Sequence, residues 1–276
     1  MGLRSRPVRP VDGQTILVTG ATDGLGRELA RELAQRGARV LLHGRDPSKA
    51  ERVRAAIAEE TGNEGIDVLL ADLSSLAQVR ALADEVLTTT DELHALVNNA
   101  GVGGAPRQLT GDGVELHLAV NHLSHFLLTT KLLPLLERSA PARIVNVSSI
   151  GQAPIDFDDP MLERGYEPMR AYCQGKLAQI SFTFELSERL GESGVTVNAL
   201  HPATLMDTKM VRDYFGSARS SVAEGTEATL RLVADPQLDG VTGRYFDGLQ
   251  ESAAHAQAYD PEARRRMWSL SERLVL

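Results

Sequence analysis

A strand that runs straight into glycines and then into a helix leaves a chain few folds to choose from. Residues 14–37 carry that arrangement. Residues 14–19 (QTILVT) form a short apolar run rich in β-branched side chains, the composition of a buried strand. The run passes directly into Gly20-Ala21-Thr22-Asp23-Gly24-Leu25-Gly26. From there Leu25, Leu29 and Leu33 recur every four residues, the spacing of one helix face, up to Gly37. In such a turn the glycines let the backbone approach a ligand closely. The helix start offers unpaired N–H groups and the positive end of the helix dipole to a diphosphate. Gly20, Thr22, Asp23, Gly24, Leu25 and Gly26 are therefore candidate cofactor contacts. The spacing is G-x-x-x-G-x-G rather than G-x-G-x-x-G. A tight βα turn that binds nothing would use the same glycines.

The alternation continues along the chain. Residues 39–43 (RVLLH) read as a second strand, followed by Gly44-Arg45-Asp46-Pro47. The end of this strand is where a dinucleotide fold chooses its cofactor: an acid binds the ribose of NAD, an arginine the 2′-phosphate of NADP. Arg45 points to NADP(H) over NAD(H), unless it is a surface arginine paired with a neighbouring acid. Asp46 before Pro47 reads as the cap of a helix over 47–60. Residues 66–70 form a third strand, leading to Ala71-Asp72-Leu73. Asp72 there suits an adenine amino group, with Leu73 beside it, or else caps a helix over 76–87. Residues 95–97 lead to Asn98-Asn99-Ala100-Gly101, a strand end suited to backbone contact with a cofactor or to a tight turn.

Residues 113–136 read as one helix, with Leu116, Val120, Leu123 and Leu127 on one side and a bend before Pro134. Asn121 lies off that stripe, either bonded near a site or exposed. His117, His122 and His125 lie near it without an acidic or thiol cluster, so packed or solvated histidines are expected rather than a metal site. Residues 143–148 and 195–200 are further strands, ending at Ser148-Ser149 and His201-Pro202, and 244–246 is a short seventh. The whole reads as α/β: a single-domain doubly wound Rossmann fold, a parallel sheet of about seven strands with helices on both faces. Ligands in such sheets bind beyond the carboxyl ends of the strands. Gly20, Arg45, Asp72, Asn98, Ser149 and Pro202 all fall there.

One further spacing bears on chemistry. Tyr172 and Lys176 are four residues apart in a helical run, hence on one face. A phenol ionises near pH ~10, and an adjacent ammonium is expected to lower that value toward use as a general acid or base.

Composition removes other classes. Net charge is −8 without a basic stripe, which argues against nucleic acid. Cys173 is the single cysteine, so no intrachain disulfide forms and a cytoplasmic location is expected. No apolar run approaches the ~20 residues of a membrane span. Residues 1–12, with Arg4, Arg6 and Arg9, read as a flexible leader.

Taken together, Thr19-Gly20-x-x-x-Gly24-x-Gly26, Asp72, Asn98-Asn99-Ala100-Gly101, Asn121, Ser149, Tyr172-x-x-x-Lys176 and His201-Pro202 resemble the short-chain dehydrogenase/reductase family in its single-domain branch. The tail, from Val241-Thr242-Gly243-Arg244-Tyr245-Phe246 to Arg273, is similar to retinol-dehydrogenase-like and WW-domain-oxidoreductase-like members. The resemblance implies a carbonyl–alcohol oxidoreductase. Tyr172 would move the proton, and Lys176 would hold the nicotinamide ribose and acidify the phenol. Ser149 would bind the substrate oxygen, and Asn121 would support a water. Asn98, Ala100 and Gly101 would contact the cofactor, with Pro202 and Thr204 bordering the nicotinamide. It also implies a homodimer or homotetramer paired through the tyrosine helix.

The chain departs from the family in places. Ser149 and Tyr172 are 23 positions apart, a longer gap than usual, which makes 150–170 an insertion near the site. Within it Tyr166-x-x-x-Arg170 mimics the active pair but is rejected, because Pro168 interrupts a helix there. Gly175 and Ala203 replace the commoner serine and glycine. Residues 203–224 read as a substrate lid, and Met210, Tyr214 and Phe215 suggest a small-molecule carbonyl or alcohol substrate with an apolar body. Two rival readings are a catalytically silent NADP(H)-sensing regulatory protein and a nucleotide-sugar epimerase or dehydratase. The intact residue set argues against the first and the short chain against the second.

Overall fold

β1 (Thr15–Val18) is buried along its whole length and lies near the middle of the sheet, hydrogen-bonded to β2 (Arg39–Gly44) on one side and β4 (Ala95–Asn98) on the other. The computed structural model describes residues 9–214 and 216–276. The first eight residues of the expected leader and Phe215 of the expected lid lie outside the described residues. β3 (Ile66–Leu70) flanks β2, and β5 (Ala142–Val147), β6 (Val195–His201) and β7 (Tyr245–Asp247) follow beyond β4. The order of these seven is β3-β2-β1-β4-β5-β6-β7, all parallel. The crossover direction reverses between β1 and β4, which opens a crevice at their carboxyl ends.

The eighth strand, β8 (Gln250–Ser252), pairs antiparallel with β7 and is absent from the sequence reading. Its three residues are all exposed, so it has no apolar pattern to announce it.

Helices cover both faces. α1 (Gly24–Gln35), α2 (Pro47–Thr61) and α8 (Val222–Ala234) close one core around Leu29, Leu33, Ile57 and Val233. α3 (Leu76–Thr89), α5 (Ser124–Arg138), α6 (Pro168–Leu190) and α9 (Pro261–Leu274) close the other around Leu82, Leu123, Leu177 and Met267. Each fully buried leucine stabilises the fold by about 2 kcal/mol. Among the described residues, no helix is long and apolar enough to cross a membrane.

Several local expectations change. The helix expected over 113–136 begins as α4 (Leu116–Leu118), capped by the Glu115 carboxylate accepting from Leu118 N–H. It then passes through a π-helical turn, Ala119–Leu123, before α5. The irregularity therefore sits at Asn121, and Pro134 stays inside α5 without ending it. The cap of α3 is Ser75 rather than Asp72. Pro168 does not interrupt a helix: it starts α6, where a missing N–H costs nothing. α9 packs along α6, with Trp268 against Phe126 and Phe182 at 5.0 and 5.8 Å between ring centroids and Arg189 stacked 3.9 Å above the indole. α9 thus covers one flank of α6 within the chain. α7 (Lys209–Tyr214) lies in the expected lid, whose ends are joined by a bridge between Met206 and Ser220.

Candidate active site

The glycine turn is built by close approach. Gly20 has φ +66°, and a Cβ on it would lie 2.9 Å from Ala100 Cα. A Cβ on Gly26 would lie 2.3 Å from Gly20 O, so only glycine lets α1 start this close to the strand ends. Thr19 locks the same corner: its hydroxyl donates to Val97 O and accepts from Asn99 and Ala100 N–H at 2.9 and 3.0 Å. Asp23 caps α1, accepting from Gly24 N–H at 2.8 Å. These features fit a diphosphate group: a bare backbone cradle beneath a helix start. Leu25 and Leu73 bring only backbone to such a ligand, because their side chains are packed into the two cores.

His43, unassigned by sequence reasoning, holds this corner together. Its Nδ1 accepts from Gly20 N–H at 3.1 Å, which leaves Nε2–H to donate to Ala71 O at 3.1 Å. One buried ring thus ties the glycine turn to the end of β3. Burial drives its pKa down to about 4, so it is neutral in the fold. A strand-final histidine beside Gly44 was the only available signal. His43→Leu is expected to cost about 2–4 kcal/mol in urea unfolding, because two polar groups lose their partner. The unfolded histidine takes up a proton near its ordinary 6.5 while the folded one resists until about 4, so wild-type stability falls as pH drops through that window. The leucine variant should lose that component of the pH dependence.

At the end of β2, Asp46 caps α2 by accepting from Lys49 N–H, as expected. Arg45 is exposed, and the ion pairs on either side of it, Arg39–Asp67 and Lys49–Asp23, do not include it. Asp72 accepts from Ser74 N–H and Oγ–H at 2.9 and 2.8 Å, a local turn at the edge of the crevice. The expected contact of Asn98 with the cofactor is not available to its side chain. Asn98 is fully buried, and its amide donates to Thr129 Oγ1 and Asn146 Oδ1. It ties β4 to β5 and α5, while Ala100 and Gly101 remain half-buried at the crevice.

Asn121 is neither exposed nor loosely placed. The π turn presents its amide to Val102, accepting from that N–H at 2.8 Å and donating to that carbonyl at 2.9 Å. A Cβ on Gly101 would lie 3.2 Å from Asn121 Oδ1 and 3.6 Å from Lys176 Nζ, so these three converge. Gly175 permits this: a Cβ there would lie 3.2 Å from His117 O and 3.5 Å from Asn121 Cβ, so the departure from serine lets α6 press against α4 and the π turn. The histidines are packed. His122 shares a 2.7 Å hydrogen bond with Ser271, His125 one of 3.0 Å with Gln179, and His117 one of 2.8 Å with Glu115. Tyr166 of the rejected pair also binds Glu115 and His117, away from Lys176.

The two serines separate cleanly. Ser148 donates to Lys176 O at 2.9 Å and is structural. Ser149 hydrogen-bonds the Tyr172 hydroxyl and accepts from Gly151 N–H. Lys176 Nζ donates to Val147 O at 2.8 Å and lies 5.9 Å from the Tyr172 ring centroid. The expectation that Lys176 acidifies Tyr172 is corrected here. Burial pushes the phenol above its ordinary value, and the bond to Ser149 only partly opposes that. Burial also lowers Lys176 to about 7, which removes much of the charge that would favour phenolate. At the end of β6, His201 bonds Thr204 at 3.1 Å, and Pro202, Ala203 and Thr204 line a pocket of about 310 Å³ with Ser220, Glu224 and Leu249. The segment expected as a lid lies against the glycine turn and against Gly104. A Cβ on Gly24 would lie 3.0 Å from Thr208 Cγ2, and one on Gly104 would strike the Tyr214 ring.

A doubly wound sheet with a glycine cradle at its switch point and a serine–tyrosine–lysine group beside it defines a dinucleotide-fold oxidoreductase. The short chain dehydrogenase family model matches residues 14–217, and the chain belongs to that family. Human retinol dehydrogenase 13 is 41% identical over 283 residues, covering 96% of this chain and 85% of the relative. The crystal structure of an uncharacterized protein from Mycobacterium paratuberculosis superposes with a TM-score of 0.79 at 32% identity, covering 100% of this chain and 98% of that one. A short chain dehydrogenase from Shigella flexneri complexed with NADP gives 0.71 at 28% identity, covering 86% and 98%.

Proposed function

We propose that this chain is an NADP(H)-dependent oxidoreductase that interconverts a carbonyl and an alcohol, with Tyr172 as general acid and base. The observation that carries the reading is the hydrogen-bonded Ser149–Tyr172 pair over buried Lys176, at the same sheet edge as the glycine cradle. When bound, the nicotinamide supplies or accepts the hydride. Ser149 holds the substrate oxygen where charge changes during reaction. A phenol pushed up by burial keeps its proton at neutral pH, the form that donates to a carbonyl oxygen. Lys176 and Asn121 converge behind it as the route by which that proton is replaced.

An exposed Arg45 outside the flanking ion pairs supports the cofactor choice, and the Shigella relative shows that this fold takes NADP. Arg45→Ala is expected to weaken NADPH about tenfold and NADH less than twofold in a fluorescence titration. Equal losses would remove the 2′-phosphate contact from the account. Apolar side chains exposed around the site, Ile150 beside Ser149, Met169 one turn before Tyr172, and Tyr214 on the lid, favour a substrate with an apolar body. The similarity to retinol dehydrogenase 13 agrees with that. A screen of apolar aldehydes, ketones and alcohols with both cofactors, read by nicotinamide absorbance, tests the proposal. Binding of NADPH without turnover of any of them would favour a sensor.

A further inference from the structure

α1 begins with a carboxylate at the place where a diphosphate would sit. Asp23 spends one oxygen on Gly24 N–H at 2.8 Å, and its other oxygen meets Lys49 Nζ at 2.6 Å. Lys49 comes from the first turn of α2, so the pair spans the mouth of the crevice between the glycine turn and the end of β2. Two further cations, Arg212 and Lys209, also act on Asp23, but Arg212 is held by Asp207 and Lys209 by Asp213. Lys49 is the cation in contact.

We propose that Lys49 is a positioning residue for cofactor affinity: it neutralises the Asp23 helix cap so that the glycine turn accepts a diphosphate. The inference rests on the proposed nicotinamide cofactor. A bare Asp23 carboxylate at this helix start would repel a diphosphate through partly exposed surroundings, where like charges still cost measurable affinity. Both nicotinamide cofactors carry the same diphosphate. Removing Lys49 therefore weakens both alike, unlike the loss at Arg45, which is selective for NADPH. Asparagine keeps the cap without the charge.

The test is direct binding of NADPH and NADH to the full chain by fluorescence titration, at low and at molar salt. Lys49→Ala is expected to raise both dissociation constants about fivefold at low salt, with the loss shrinking at high salt. Asp23→Asn in the Lys49→Ala background is expected to restore both to within about twofold of wild type. Lys49→Gln, which keeps the stem packed, is expected to behave as Lys49→Ala. Unchanged affinity in Lys49→Ala overturns the proposal, as does a double variant as weak as the single one. A loss confined to NADPH also overturns it, making Lys49 a 2′-phosphate ligand instead. A wild-type chain that binds neither cofactor would overturn the cofactor reading itself.

Discussion

Tyr172→Phe will lower turnover about 10³-fold while leaving NADPH affinity within about twofold of wild type, the range expected when one acid–base group is removed from a site that still binds. The substitution deletes a single hydroxyl. The ring stays, so the packing of α6 through Tyr172 and Cys173 against Gly151 is kept. What is lost is the proposed proton donor, the hydroxyl bonded to Ser149. The direction of the reaction gives a second readout. Tyr172 titrates above its ordinary value, so carbonyl reduction in the wild type should hold steady through neutral pH. Alcohol oxidation needs phenolate and should climb as pH rises. The phenylalanine variant should show neither profile. Turnover equal to wild type would sink the catalytic assignment.

Lys176→Met comes next in size. It is expected to lower turnover at least 10²-fold and to weaken the cofactor, because a buried ammonium with donors to spare is replaced by a thioether. Its signature in stability is the sign of a pH slope. The folded lysine titrates at about 7 against 10.5 when unfolded. Between those values the unfolded chain holds more protons, so this residue makes the protein more stable as pH rises from 7 to 10.5. Below pH 7 the cost of burying the charge is felt in full. Methionine should abolish that slope in thermal melts, whatever offset comes from leaving Val147 O without its donor. A variant that keeps the wild-type slope would show that another group is titrating.

The parts of this site that could be read along the chain are those whose meaning is local. Gly20 and Gly26, the cap at Asp46 and the spacing of Tyr172 and Lys176 each follow from a few neighbouring residues. Ser149 was separated from Ser148 by resemblance, and the geometry distinguishes them by where each hydroxyl points. The parts that escaped depend on contacts between distant segments. His43 meets Gly20 across 23 positions and Lys49 meets Asp23 across 26. Asn98 looked like a ligand-facing strand end but is drawn into a buried amide–hydroxyl group by Thr129 and Asn146. The pKa of Tyr172 was misjudged because spacing reports a charged neighbour and says nothing about desolvation, which dominates here.

The clasp of α9 over α6 sets an order of events during synthesis. Phe126, Phe182 and His122 find their partners Trp268 and Ser271 only 86 to 149 residues downstream. Until residues 261–274 have left the ribosome, the helix bearing Tyr172 shows an oily, aromatic flank to the cell. Apolar surface exposed in this way is prone to aggregation, and clipping within α9 would be expected to expose it again.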